Sequence, residues 1–234
     1  MCGRYALSLS GEDLAEYFEI DEVAGPLPGP DYNIAPTDPI VAVFARQRPE
    51  GLRRLLAPVR WGLVPSWSKD ASGAARLINA RVETLGEKPA FRKAFRARRC
   101  LLPADGYYEW YRVAGADGRP AKQPWFIRPT DGAPLAMAGL YEFWKAPDGE
   151  WLTTATVITT AATDEVGHLH DRMPMAVSRQ NWAAWLDPHF DADARGLLTV
   201  PAPALAYHAV STAVNKVAND GPELVRPLAG PVPE

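Results

Sequence analysis

Proline and glycine interrupt this chain too often for long regular helices. Its 234 residues include 23 prolines and 18 glycines, a proline share about twice the usual level. Proline fixes φ and removes a backbone donor, and glycine releases the chain into turns. The pattern favours many turns and irregular connections over a helical bundle or a regular βα repeat.

Short apolar runs fill the gaps. Residues 40–45 and 52–63 read as strands, with a hairpin turn over Arg46 to Gly51. Residues 100–102, 106–113, 125–128, 135–141 and 151–159 continue an antiparallel pattern, and 207–210 reads as a closing strand. Ala116-Asp117-Gly118 and Asp148-Gly149 supply turns. Helices are few and short. Ser10 with Asp13 forms a capping-box signature for a helix ending near Ile20. A second helix is predicted over 90–95, and Ser178 is placed as the cap of a third over 179–186. Residues 24–39 read as an ordered, proline-rich loop, and 226–234 as a loose tail. The expected fold is α+β: one domain over 1–234 with a curved, barrel-like antiparallel core and short flanking helices.

Composition removes several functions. The two cysteines, Cys2 and Cys100, are too few for a disulfide scaffold or a four-thiolate metal site and fit a reducing compartment. No apolar run reaches the roughly 18 residues of a membrane span, and no secretion signal is visible. A cytoplasmic monomer without metal or cofactor is expected, with no membrane partner. The net charge of -3 hides an asymmetry. From Arg76 to Arg99, eight basic residues face only Glu83 and Glu87, so this stretch is +6 and the remainder is -9. Such a surface can take phosphates within an acidic protein.

Candidate chemistry begins at Cys2. Removal of Met1 would expose a 1,2-aminothiol whose amine and thiol titrate near about pH 8 and 8.5. An aldehyde can condense with the amine, after which the adjacent thiol can close a five-membered ring. The same terminus can instead serve amide hydrolysis. Three further segments are dense in functional groups. In Ile78 to Thr84, Asn79 can donate and accept, and Arg81 can grip a phosphate. In Ala104 to Trp110, Glu109 lies in an aromatic run that should raise its pKa and suit it to proton transfer. In Gly167 to Pro174, His170 is placed on a loop as an acid–base group instead of a metal ligand. The run Trp61 to Trp67 offers aromatic faces for base stacking. No GxSxG, P-loop or GxGxxG motif occurs.

The ordered strings MCGRY, YNIAP, WGLVPSW, INARVET, DGYYEW, HDRMP and VNKVANDGPEL span nearly the whole chain. Together they resemble the SRAP, or SOS-response-associated peptidase, family, which includes abasic-site-processing proteins. The resemblance implies that Cys2, after Met1 removal, forms a thiazolidine crosslink with the ring-opened aldehyde of an abasic site, preferentially in single-stranded DNA, and so shields the lesion. It implies a catalytic set of Cys2, Asn79, Glu109 and His170. Asn79 would orient the sugar, Glu109 lie near the Cys2 amine, and His170 assist ring opening and proton transfer. Arg4 and Arg81 match phosphate contacts, with Asn33, Trp67 and Thr159 as supporting DNA-binding or pocket residues. The family is also associated with self-removal of the N-terminal residue; a lyase side reaction is an expectation from Schiff-base chemistry, and replication-associated junctions and association with the nucleoid when bound to DNA are further expectations. Tyr107-Tyr108 and Met173 depart mildly from the family pattern. An amidase acting in trans and a noncovalent reader of modified DNA remain open alternatives.

Overall fold

The computed structural model describes residues 2–114, 119–162, 164–190, 193–198 and 203–229. Its strands, in chain order, are β1 (Tyr5–Leu7), β2 (Glu22–Val23), β3 (Asp31–Ile34), β4 (Pro39–Arg48), β5 (Gly51–Trp61), β6 (Asn79–Arg81) and β7 (Arg99–Ala104). They continue with β8 (Gly106–Ala114), β9 (Pro120–Pro129), β10 (Leu135–Lys145), β11 (Trp151–Ala161), β12 (Arg172–Pro174) and β13 (Leu205–Ala209). The helices are α1 (Gly11–Tyr17), α2 (Arg92–Ala97), α3 (Asp164–Gly167) and α4 (Trp182–Leu186).

Among the described residues, one sheet runs β13-β9-β8-β1-β3. A second runs β12-β11-β10-β7-β4-β5-β2, with β6 beside β11. A parallel pairing of β5 with β11, Arg60 opposite Thr154, curls this sheet back onto itself. The result is the expected α+β fold with a barrel-like β core and short flanking helices. Strands β4 and β10 are buried along most of their length, not on alternate residues. The other face of β10 and β7 is covered by α2 and α4, which explains the continuous apolar runs. The two sheets meet in the core where Tyr5 of β1 sets its ring edge-on to Trp61 of β5, centroids 5.1 Å apart.

Several elements differ from the sequence expectation. The proline-rich segment 24–39 contains β3 and the start of β4. The 3-residue strands β1, β6 and β12 were not expected, because three residues cannot display a period. Helix α2 lies two residues later than expected. The α1 capping box is present: Asp13 N–H donates to Ser10 Oγ at 3.1 Å, and Ser10 N–H to Asp13 Oδ2 at 3.2 Å. Ser178 makes no cap bond, and its hydroxyl is buried with no partner among the described residues. A 3₁₀ turn, Arg179–Asn181, precedes α4 there. The turn expected at Ala116 to Gly118 lies outside the described residues. Leu228, in the expected tail, donates its N–H to Ala209 O at 2.9 Å.

Candidate active site

Strand β1 is the element that carries position 2 inward. It lies between β3 and β8, with Tyr5 opposite both Ile34 and Tyr107. Cys2, just before it, is completely buried. Its Sγ makes one weak contact, to Arg4 O at 3.9 Å. Burial, then the neighbouring Glu109 charge, pushes the Cys2 thiol well above its ordinary range. A thiol so placed is protonated at neutral pH and a poor nucleophile until a partner stabilises its anion.

Asn79 begins β6, which β11 holds in parallel register, Val157 opposite Asn79. Its Nδ2 donates to Cys2 O at 2.6 Å. Its Oδ1 is buried and has no hydrogen-bond partner among the described residues. Glu109 projects from β8 and is 5% exposed. Burial pushes its carboxyl above the usual carboxylate range, and the charge of His170 pulls it partly back. Cys2, Glu109 and His170 thus lie within electrostatic reach, and a hydrogen bond ties Asn79 to Cys2. Four segments distant in sequence converge on one point.

His170 sits on the loop between α3 and β12. Its Nδ1 is 2.9 Å from the Arg172 N–H and 2.8 Å from Asp171 Oδ1. The first contact needs a bare Nδ1 and the second a protonated one. Proton uptake therefore exchanges one partner for the other. With Nδ1 accepting from Arg172, the neutral ring carries its proton on Nε2.

The other expected site residues fall into two groups. Trp67 and Arg81 are exposed, Trp67 at 68%. Trp67 borders a cavity of about 610 Å³ that also involves Lys69 and Arg76. Gly62 turns the chain into this loop at φ 117°, where an added Cβ would lie 2.7 Å from Ala74 O. Asn33 and Thr159, in contrast, are buried. Asn33 Oδ1 accepts from Arg4 Nη1 at 2.6 Å. Its Nδ2 faces the carbonyls of Val214, Lys216 and Asn219 at 3.3, 2.9 and 2.7 Å. Arg4 also bonds Val214 O at 3.0 Å and lies 5.8 Å from the Trp110 ring centroid. The VNKVAND segment is thereby folded around Asn33.

Thr159 receives the Arg172 guanidinium on its carbonyl at 2.6 Å and on Oγ1 at 3.3 Å. The same guanidinium grips both Glu83 oxygens, at 2.6 and 3.0 Å. This bidentate bond holds the Glu83 carboxyl below its usual range. Arg172 joins the INARVET and HDRMP segments, a role the sequence reading missed; its only signal was its place two residues after His170. The basic stretch is also smaller than its charge count implied. Arg98 pairs with Glu142 at 2.7 Å. Arg99 is buried, donating to the carbonyls of Trp185, Phe95, Arg96 and Asp187. Arg76, Arg81, Lys88, Arg92, Lys93 and Arg96 stay exposed.

The chain is similar to known proteins over most of its length. Abasic site processing protein YoqW of Bacillus subtilis is 39% identical over 232 residues, covering 96% of this chain and 99% of that one. Abasic site processing protein YedK of Escherichia coli is 34% identical over 238 residues, covering 97% and 100%. A crystal structure of a Bacteroides thetaiotaomicron protein superimposes with a TM-score of 0.81 at 22% identity, covering 97% of this chain and 100% of that one, which is a likeness of fold. The family model described as SOS response associated peptidase (SRAP) matches residues 1–217, and the chain belongs to that family.

Proposed function

We propose that this protein processes abasic sites in single-stranded DNA by forming a covalent thiazolidine crosslink through Cys2. The observation that carries the reading is the convergence of Asn79, Glu109 and His170 on a buried cysteine at position 2. The names of the relatives YoqW and YedK, both abasic site processing proteins, support abasic sites as the target.

The sequence of events follows from the groups present. Removal of Met1, by the protein itself or by another activity, frees the Cys2 amine. The sugar opens to its C1′ aldehyde with His170 moving the proton at the ring oxygen; the two exclusive partners of Nδ1 let the ring gain and lose that proton without leaving its loop. The amine attacks C1′ and water departs, with Glu109, shifted toward neutrality by burial, giving and taking the protons. The thiol then adds to the imine and closes the ring. Amine attack precedes sulfur attack because burial keeps the thiol protonated. Closure consumes the imine and suppresses β-elimination, so strand cleavage is a side reaction.

Asn79 positions the Cys2 carbonyl and presents its unpaired Oδ1 to a sugar hydroxyl. Arg4 and Arg81 bind phosphates and Trp67 offers a stacking face. Asn33 and Thr159 serve DNA through the arginines they hold, Arg4 and Arg172.

The test is intact mass and denaturing-gel mobility after mixing mature protein with single-stranded DNA carrying one abasic site. A stable adduct forms without reductant. Cys2→Ser leaves at most an imine that hydrolyses, and a retained N-terminal tag abolishes the adduct. Normal crosslinking by Cys2→Ala or by the tagged protein would falsify the mechanism. Binding without any mass increase points to a noncovalent reader, and turnover of a peptide through an acyl-enzyme to an amidase.

A further inference from the structure

Strand β8 leads from the core to solvent past Glu109. Tyr107 is 2% exposed, Glu109 5% and Tyr111 40%, and as alternate residues of one strand they share a face. Tyr111 therefore lies about 7 Å beyond Glu109 along the strand. Trp125 of β9 is directly opposite Glu109. Its ring meets that of Tyr207 on β13 edge-on, centroids 5.6 Å apart. Tyr207 meets His168 at 5.0 Å, and His168 meets Tyr111 at 6.5 Å, both again edge-on. The rings make a closed circuit, from the cross-strand partner of Glu109 round to its neighbour on the same face. His168 and His170 are two residues apart, so one loop serves both the circuit and the site.

Packing alone does not account for this circuit. Tyr207 is 38% exposed, Tyr111 is as open, and His168 is exposed. Rings that only seated the loop on the sheet would bury those faces and gain apolar contact. The Trp125 indole N–H is buried with no partner among the described residues, although a buried tryptophan usually finds one. The circuit contains no Lys or Arg and borders a carboxyl, so it suits an uncharged aromatic ligand and not a phosphate. A strand that brings an abasic sugar to Cys2 and Glu109 must carry its next nucleotide past this rim.

We propose that Tyr111, His168 and Tyr207 form a stacking site for the nucleobase adjoining the abasic site, separate from the face offered by Trp67. This assignment rests on the abasic-site reading and deepens it. Every base has a π-face, so the site tolerates any sequence while requiring that a base be present. It holds the strand by the intact neighbour, since the abasic sugar itself has nothing to stack.

The experiment uses mature full-length protein and single-stranded DNA with a tetrahydrofuran analogue of the abasic site, which binds but cannot crosslink. A fluorescent purine analogue is placed on one side of the lesion or the other, and matching strands lack the base at that neighbouring position. Wild type should bind the strand with the neighbouring base on the order of ten-fold more tightly than the strand without it, and should change the analogue's fluorescence on one side. The double variant Tyr111→Leu, Tyr207→Leu keeps apolar bulk but removes the ring faces. It should bind both strands alike and lose the fluorescence change, with an unaltered circular dichroism spectrum. Because the readout is the difference between two strands on one protein, a general weakening of the variant does not imitate it. A base preference retained in the double variant overturns the proposal, as does a wild type that shows none on either side. If wild type forms no adduct with a true abasic site, the abasic-site reading fails. The fluorescence assay needs no crosslink and still decides the rings: a base-dependent signal lost in the double variant supports the stacking site, and its absence or persistence overturns it.

Discussion

The two faces of β8 carry similar residues to opposite ends. On one face, Tyr108 donates its hydroxyl to Tyr32 O at 2.7 Å, and the Trp110 indole donates to Asn215 Oδ1 at 2.7 Å. Ala6, Phe126, Val210, Val214 and Leu224 pack around Tyr108. On the other face, the Tyr107 hydroxyl has no hydrogen-bond partner among the described residues, and Glu109 is buried with its carboxyl pushed upward. Trp125, directly opposite Glu109, buries an indole N–H that has no partner among the described residues. A period of two residues thus separates polar atoms that bond within the fold from the face that carries Glu109. The second face is the more costly one to bury, as expected where chemistry takes precedence over stability.

The largest stability loss should come from the well-satisfied side. Asn33→Ala removes the amide that organises three carbonyls and anchors Arg4. Leaving such buried groups unpaired should cost about 3 kcal/mol, read as a lower urea midpoint at unchanged m-value. Crosslinking per folded molecule should drop only a few-fold, through Arg4. An unaltered midpoint would break the comparison, because the 212–219 segment would then hold itself.

Glu109→Gln should do the reverse. Loss of a proton-transfer group should slow crosslinking roughly 100-fold, while stability at pH 7 rises. The sign follows from linkage. A carboxyl whose folded pKa is raised carries its full relative stability below the unfolded value, about 4.3, and loses it as pH climbs through the folded value. The Gln variant should therefore melt above wild type at pH 7 and lose that advantage toward pH 4. A constant difference across this range would mean that Glu109 ionises as freely in the folded state as in the unfolded chain.

How much of this was legible in the sequence depended on how local each signal was. The hairpins of β4 with β5 and of β10 with β11 were readable, because long apolar runs flank turn residues. The α1 box was readable because its partners are three residues apart. Ser178 looked like an equally good cap, but a 3₁₀ turn buries its hydroxyl instead. Strands β1, β3, β6 and β12 escaped because three or four residues hold no period; their pairing partners, not their own side chains, define them. Cys2, Asn79, Glu109 and His170 stood out as polar groups in unusual settings. Arg172 did not, since its role exists only where Glu83 and Thr159 meet in space. Tyr5 and Tyr107 were not singled out as polar groups, because sequence shows a ring but not where its hydroxyl lies.

The smallest effect makes the sharpest test of the two faces. Tyr107 and Tyr108 are adjacent, both buried and chemically identical. Removing the hydroxyl of Tyr108 deletes its bond to Tyr32 O and strands that carbonyl, so Tyr108→Phe should lower stability by about 1 kcal/mol. The same change at Tyr107 deletes no bond within the fold and relieves a buried, unpaired donor. Tyr107→Phe should therefore leave the urea midpoint unchanged or raise it, in a parallel titration of both variants. Equal losses would mean that the Tyr107 hydroxyl is satisfied in the resting protein and that the two faces do not differ. Opposite signs from one pair of neighbouring tyrosines would show that the core side of β8 keeps a hydroxyl the fold does not need.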